Sequence, residues 1–583
     1  MQLLRLRLLI LGLIHLHPLS STHIPHSAPI QRPLSSISAS PSPFNPSFIF
    51  SSVHGLLRQL PNTFSPNGFS IAAGTVPAYT NLYHARKDAG DIPKVEWVAF
   101  DAEMSYGIMG GRGGETWLHT FVTTRDVRVL VFDGMSAALR ESGTLDAQAV
   151  FLHGGVNGSE LRDGNGPGRY GSPVRDEYER AEGLCKWARE LPGARIEGFV
   201  RMNTGFEMIW CDFEDSDSWK LVSKLNVTAP AGQSQHGGAG VDMDMDMFAP
   251  EELPTPPPGG PGYGPGPPDG PPDGPDGPGS GGFKMPWAGA SGWEWIRSAT
   301  WHYVVPELRV IPDLCRFFTF YDPSFASFPH DLRTPKDSSH RLVNVTRDDA
   351  AAFRSRIGKS LLATHEPCSQ LDWRRVAGDV MDRYGGRIRE LQIVLASDGN
   401  ATERAADAAK LAFAAVMPFV AESQRDGAQE RCALAYTEAI PADALSPQEV
   451  LLRDAVEAVV GRICRTFLDV YFGYLEDGGR KKQTGKWRKD VDELVTWLDW
   501  DMWRRCEGGC AWGELCALAL WPVLGLMDER DWKQPRCVNS SVVENGRGRR
   551  PRYPGGGGDG GGGHDGPGGG KRPRRALKEY IEV

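Results

Sequence analysis

The hydrophobic period of the chain changes once along its length, and that change sets the fold class. From about residue 92 to 228 the apolar residues come in short β-branched and aromatic runs, VEWVAF, TWLHTFVT, VRVLVFDG, EGFVRM, FEMIWCDF and WKLVSKLNV, punctuated by Gly and Asp. Such runs read as strands. VRDEYERAEGLCKWAREL between them carries Tyr178, Ala181, Cys185 and Ala188 at helical spacing. From about 346 to 535 the spacing is helical. Ser446-Pro447-Gln448-Glu449 supplies an N-cap, a proline at the first helical position and a capping-box glutamate, followed by a stripe from Leu452 to Tyr474. Further helices are predicted over 347–362, 370–396, 401–419 and 487–505. A chain of 583 residues is long enough for more than one core. The expected fold is an α/β or α+β mixed-sheet N-terminal domain followed by an all-α helical bundle domain.

Composition divides the remainder. Residues 1–22 have Arg5 and Arg7 ahead of an apolar run from Leu8 to Leu16, then Pro18 and small residues, the build of a secretory signal peptide. Whether it is cleaved or kept as an anchor is left open. Residues 23–76, rich in Ser and Pro, read as a disordered leader, with order beginning near Pro77. The mixed domain, 77–335, is interrupted by a Pro/Gly-rich linker at 229–284, and WEWIRSATWHYVVPELRVIPDLCRFFTFYDPSF after it resumes a strand-like texture. The helical, cysteine-containing domain is assigned to 340–540 and a disordered Gly/Arg-rich tail to 541–583.

Two further signals agree with a secretory leader. Asn157, Asn226, Asn344, Asn400 and Asn539 each open an N-x-Ser/Thr acceptor. The ten cysteines form an even set: Cys185, Cys211, Cys315, Cys368, Cys432, Cys464, Cys506, Cys510, Cys516 and Cys537. Their crowding in CEGGCAWGELC suits disulfides in an oxidising compartment, because the spacing lacks the C-x-x-C knuckle of a zinc site. Cys432 and Cys464 are placed to staple neighbouring helices. No later segment reads as a membrane span, and no metal or cofactor is expected. A net charge of −9 argues against a nucleic-acid footprint, which needs a concentrated basic face.

Candidate chemistry centres on KVEWVAFDAEMSYG, where Asp101 and Glu103 stand two apart. In an extended chain both would point to one face, together with Val95, Trp97 and Ala99. With Asp133, and with His119 nearby, they are the candidate carboxyls of a glycan hydrolase. The competing reading is a structural strand end, its acids exposed or held by Arg112, Arg125 or loop amides. VAFDAEM also resembles the Asp-x-Glu-Met motif of RNase-H-like exonucleases, but the further acids of that site have no counterpart. GIMGGRGGE is expected to form a wide hairpin loop. Trp487, Trp497, Trp500, Trp503, Trp512 and Trp521 could offer a sugar-stacking surface, although Trp497, Trp500 and Trp503 at intervals of three suit packing.

The segments RDVRVLVFDGMSA and GTLDAQ resemble an uncharacterised family of secretory-pathway proteins from filamentous fungi, a resemblance that covers roughly 92–330 and more weakly the helical half, including CAWGELC. It implies a fungal, lumenal or extracellular protein and carries no catalytic residues with it. The sequence-based expectation is a secreted or lumenal, N-glycosylated, disulfide-bonded protein with a binding or scaffolding role, glycans or cell-wall components being candidate partners. The alternative is a secreted carboxylate-dependent hydrolase acting on glycans, and whether the protein is an enzyme is open at this point.

Overall fold

A nine-stranded mixed sheet organises the N-terminal half, in a computed structural model that describes residues 45–110, 114–140, 143–156, 177–214, 217–230, 286–329, 340–423, 425–478, 483–506, 508–523 and 535–544. The signal-like segment, residues 23–44 of the leader, nearly all of the Pro/Gly linker, the tail after residue 544, Arg112 and Asn157 lie outside these residues. The strands are β1 (Ser70–Val76), β2 (Asn81–Arg86), β3 (Glu96–Ala99), β4 (Trp117–Thr123), β5 (Val127–Phe132), β6 (Ile196–Asn203), β7 (Gly205–Trp210), β8 (Trp219–Asn226) and β9 (Ile311–Thr319). They lie in the order β8-β4-β2-β3-β7-β6-β5-β1-β9. Among the described strands only β5 and β6 pair in parallel, an arrangement that needs a crossover connection rather than a tight hairpin. All six runs read as strands from the sequence are strands. β3 and β7 are buried at every position, so their alternation gives no polar face.

The structure departs from the sequence expectation at residues 45–76. Helices α1 (Pro46–Gly55) and α2 (Gln59–Phe64) precede β1. Ser and Pro are interleaved here with at least as many large apolar residues, and Phe48, Ile49, Phe50, Val53, Leu56 and Leu60 are all buried. That apolar surface offsets the ordering entropy that composition alone suggested could not be met. A second departure is α6 (Pro286–Thr300), a helix where strand-like texture was expected. Trp293, Ile296 and Ala299 keep helical spacing and are buried together. GIMGGRGGE is likewise no simple hairpin loop: α3 (Ala102–Gly110) takes up its first half. α4 (Asp146–His153) and α5 (Glu177–Arg189) lie between β5 and β6.

The C-terminal half is largely helical: α7 (Arg347–Leu362), α8 (Trp373–Ala396), α9 (Ala401–Val416), α10 (Ala428–Leu434), α11 (Pro447–Glu476) and α12 (Thr484–Leu498). α11 is the centre of this group, packed on α9, α10 and α12 and also on α1 and β9. One continuous hydrophobic core therefore runs from Phe48 through the sheet to Trp500, and the described residues from 45 to 544 belong to one compact unit.

All ten cysteines are paired: Cys185–Cys211, Cys315–Cys368, Cys432–Cys464, Cys506–Cys516 and Cys510–Cys537. Cys432–Cys464 staples α10 to α11 as the sequence suggested. Cys315–Cys368 joins β9 to the segment before α8, beside the N-terminus of α11. There Ser446 Oγ accepts from Glu449 N (3.1 Å), Ser446 N donates to Glu449 Oε2 (2.9 Å), and the same hydroxyl donates to Cys315 O (2.9 Å). Ser446→Ala removes the cap and the bond to the sheet together, so it is expected to lower stability by about 1–2 kcal/mol. Urea unfolding measures this, and an unchanged midpoint would show that the cap carries no weight.

Candidate ligand cavity

Strand β2 pairs with β4 over six positions and β3 with β7 over four, but β2 and β3 meet at a single pair, Tyr83 with Ala99. The sheet therefore opens between them. Side chains take over the peptide groups left without a strand partner. Trp97 N donates to the adjacent Glu96 Oε1 (3.1 Å), and Trp97 O accepts from His84 Nδ1 (2.7 Å). Burial pushes His84 down to about 3, so its ring is neutral. A cavity of about 540 Å³ occupies the opening, lined by consecutive residues of both strands, Tyr83 to Asp88 and Glu96 to Ala99. Two adjacent residues of one strand line the same space only where that strand's edge is free. Met104 and Ile108 of α3, Trp295 of α6, and Trp521 complete the walls.

The floor holds a buried charge group. Arg201 of β6 donates through Nη2 to Glu207 Oε1 (2.6 Å) and to Glu177 Oε1, and through Nη1 to Gln148 Oε1 (3.1 Å). Burial opposes the guanidinium charge, but the two carboxylates outweigh it and raise Arg201 above its ordinary value. Glu207 is raised by burial and by Glu177, against the pull of Arg201. Glu96, fixed by Trp97 N and by Tyr178 Oη (3.1 Å), is pushed up by burial to about 7. A raised acid favours the folded state while protonated. Stability is accordingly complete below the usual 4.5 and is lost as pH rises through about 7. Glu96→Gln is expected to abolish that loss, so its advantage over the wild type in urea should grow between pH 5 and pH 8. A difference that stays constant with pH would show Glu96 ionised throughout.

The acids singled out in the sequence lie elsewhere. β3 ends at Ala99, Asp101 sits in the turn into α3, and Glu103 is half-buried in the first turn of that helix. They do not continue a strand face. Asp101 is not held by Arg125, and Arg112 lies outside the described residues. Asp101 accepts from Arg309 Nη2 (2.7 Å) and from His302 Nε2 (3.1 Å), and Arg309 and His302 also face Glu307 at 2.6 and 3.4 Å. Burial would raise Asp101, but His302 and Arg309 more than compensate and hold it below the ordinary carboxylate range. Asp101, His302 and Glu307 have the composition of a metal site, but Arg309 already supplies the cation to both carboxylates. Arg125 pairs with Glu197. Asp133 accepts from Ser70 N (2.7 Å) and lines a separate cavity of about 30 Å³. Neither Asp101 nor Glu103 lines that cavity or the larger one.

The tryptophans do not form one surface either, since Trp487 and Trp500 are buried and Trp512 is fully exposed. The carboxyls around the larger cavity, Glu96, Glu177 and Glu207, were missed. For Glu96 and Glu207 the signal was a lone acid inside an apolar strand run, KVEWVAF and GFEMIW, together with Arg201 of GFVRM; Glu177, in the charged run RDEYERAE, gave none. Asn226, Asn344, Asn400 and Asn539 are all exposed.

A family described as the YPL277C N-terminal domain matches residues 43–116 and 110–235, which take in β1 to β8 and most of the cavity. The chain is 29% identical to the Saccharomyces cerevisiae uncharacterized protein YPL277C over 227 residues, 32% of this chain and 44% of that protein. It therefore spans less than half the length of that relative. It is 23% identical to the uncharacterized protein YOR389W of the same yeast over 536 residues, 82% of each chain. These likenesses support kinship with an uncharacterised fungal family, and the second runs through both halves of the fold. No solved structure matches.

Proposed function

We propose that the chain is a secreted or lumenal, N-glycosylated, disulfide-bonded protein that acts by binding a small polar ligand in the cavity between β2 and β3. The observation that carries the binding role is the cavity itself. Its 540 Å³ lies within the range of small-ligand sites, with aromatic walls and a few fixed polar groups. Five disulfides support an oxidising compartment. Four exposed acceptor asparagines support glycosylation, and among the described residues no helix is long and apolar enough to cross a membrane.

A second reading, the carboxylate-dependent hydrolase, now rests on Glu96 rather than on Asp101, Glu103 and Asp133, which share no cavity described above. A carboxyl held near 7 can donate a proton at neutral pH. One screen separates the two. Purified wild type and Glu96→Gln are tested against neutral, cationic, anionic and peptide probes, first by thermal shift and then for turnover. Binding without turnover supports the first reading. Turnover that Glu96→Gln abolishes with folding intact supports the second, and absence of any bound probe removes the cavity as the working site. Mass analysis with and without reduction and deglycosylation tests the compartment, and ten free thiols would overturn it.

A further inference from the structure

The geometry points to a neutral, hydroxyl-rich ligand, a saccharide of one or two rings, held in the β2–β3 cavity by Asn203 and Glu207. This inference rests on the cavity-binding role above and adds the chemical class.

The charges lining the cavity are already consumed within it. Arg86 pairs with Asp88 at 3.2 Å, Arg201 with Glu177 and Glu207, and Lys87 Nζ donates to Met109 O at 2.6 Å. The cations Arg86, Lys87 and Arg201 face the anions Asp88, Glu177 and Glu207, while His84 is neutral and Glu96 is protonated up to about pH 7. A lining balanced in this way sets up no net field to draw in an ion.

Two polar groups stay open. The side-chain amide of Asn203, on a residue only 5% exposed, makes no hydrogen bond among the described residues, and its Oδ1 is buried without a partner. Glu207 uses Oε1 for Arg201, whereas Oε2 takes no partner among the described residues. Its side chain keeps 10% exposure in the middle of a strand otherwise buried at every position, and that exposure faces the cavity. Asn203 and Arg201 stand two apart on β6, and Arg201 is directly opposite Glu207, so the three share one face of the sheet. Buried polar groups without partners are costly, and a ligand that supplies the missing bonds recovers that cost.

The missing partners are donors for Glu207 Oε2 and Asn203 Oδ1, with an acceptor for the Asn203 NH₂. Adjacent hydroxyls supply both roles. The remaining wall, with Tyr83, Trp97, Trp295 and Trp521, offers apolar rings to the C–H faces of a sugar.

Titration calorimetry on the full chain tests this with a neutral monosaccharide and disaccharide set, a diamine, a dicarboxylate and a short extended peptide. Saccharide binding is expected in the wild type and is expected to fall about tenfold or more in both Asn203→Ala and Glu207→Gln. Two variants guard against one failing to fold, and circular dichroism confirms each. Saccharide affinity unchanged in a folded variant overturns the assignment of Asn203 and Glu207. Binding of the diamine, dicarboxylate or peptide without saccharide binding, lost in the same variants, overturns the ligand class while the cavity role stands. If no probe binds, the inference and the role it rests on both fall.

Discussion

Arg201→Met is expected to cost about 3–5 kcal/mol, because it leaves Glu177 and Glu207 buried without their shared cation. The Arg201 side chain is 1% exposed, and three acceptors on α4, α5 and β7 converge on its guanidinium. Methionine fills a similar volume, so the loss would measure electrostatics rather than a cavity. The triple variant Arg201→Met, Glu177→Gln, Glu207→Gln should recover most of the loss, since no charge is then left buried. Urea midpoints for both proteins make the comparison. An unchanged midpoint in the single variant would show that both acids are protonated in the wild type.

Removing the Cys315–Cys368 bridge by Cys315→Ser with Cys368→Ser should cost a comparable amount. The loop it closes spans a sequence separation of 53, which corresponds to about 4 kcal/mol of chain entropy in the unfolded state. The loss should exceed that of the bridge between Cys506 and Cys516, whose separation is 10. Both double variants are compared by urea unfolding under non-reducing conditions. Equal midpoints would mean that loop length does not govern the stabilisation, and that local packing does.

The fold was legible wherever one kind of residue dominated a run. VRVLVFDG and FEMIWCDF read correctly as strands because β-branched and aromatic residues leave little alternative. The N-terminus of α11 was legible from Ser446-Pro447-Gln448-Glu449 alone, because each of its cap interactions is local. Residues 45–76 were not legible, because they continue a Ser- and Pro-rich run that begins at 23, and a composition averaged over 23–76 hides the Phe, Ile and Leu after residue 45 that do the packing. α6 was missed because Trp and Ile suit strands and core helices equally well.

The site was harder to read. Asp101 and Glu103 attracted notice as acids two apart at the end of an apolar run, and the turn after Ala99 sends them to different surroundings. Glu96 and Glu207 are each the single charged residue of a strand, and Arg201 is the one cation of its strand. What unites them is the pairing of β2 with β3 at one position only, and sequence spacing does not encode that.

The strand pairing has a consequence for the order in which the protein can be made. β1 emerges early in synthesis, yet its outer neighbour β9 follows about 250 residues later, since Ser70 pairs with Thr319, and α1 waits about 400 residues for α11. Phe48, Ile49 and Phe50 therefore leave the ribosome long before their permanent neighbours exist. Until α11 arrives, vectorial synthesis leaves this apolar segment to whatever transient cover the compartment provides.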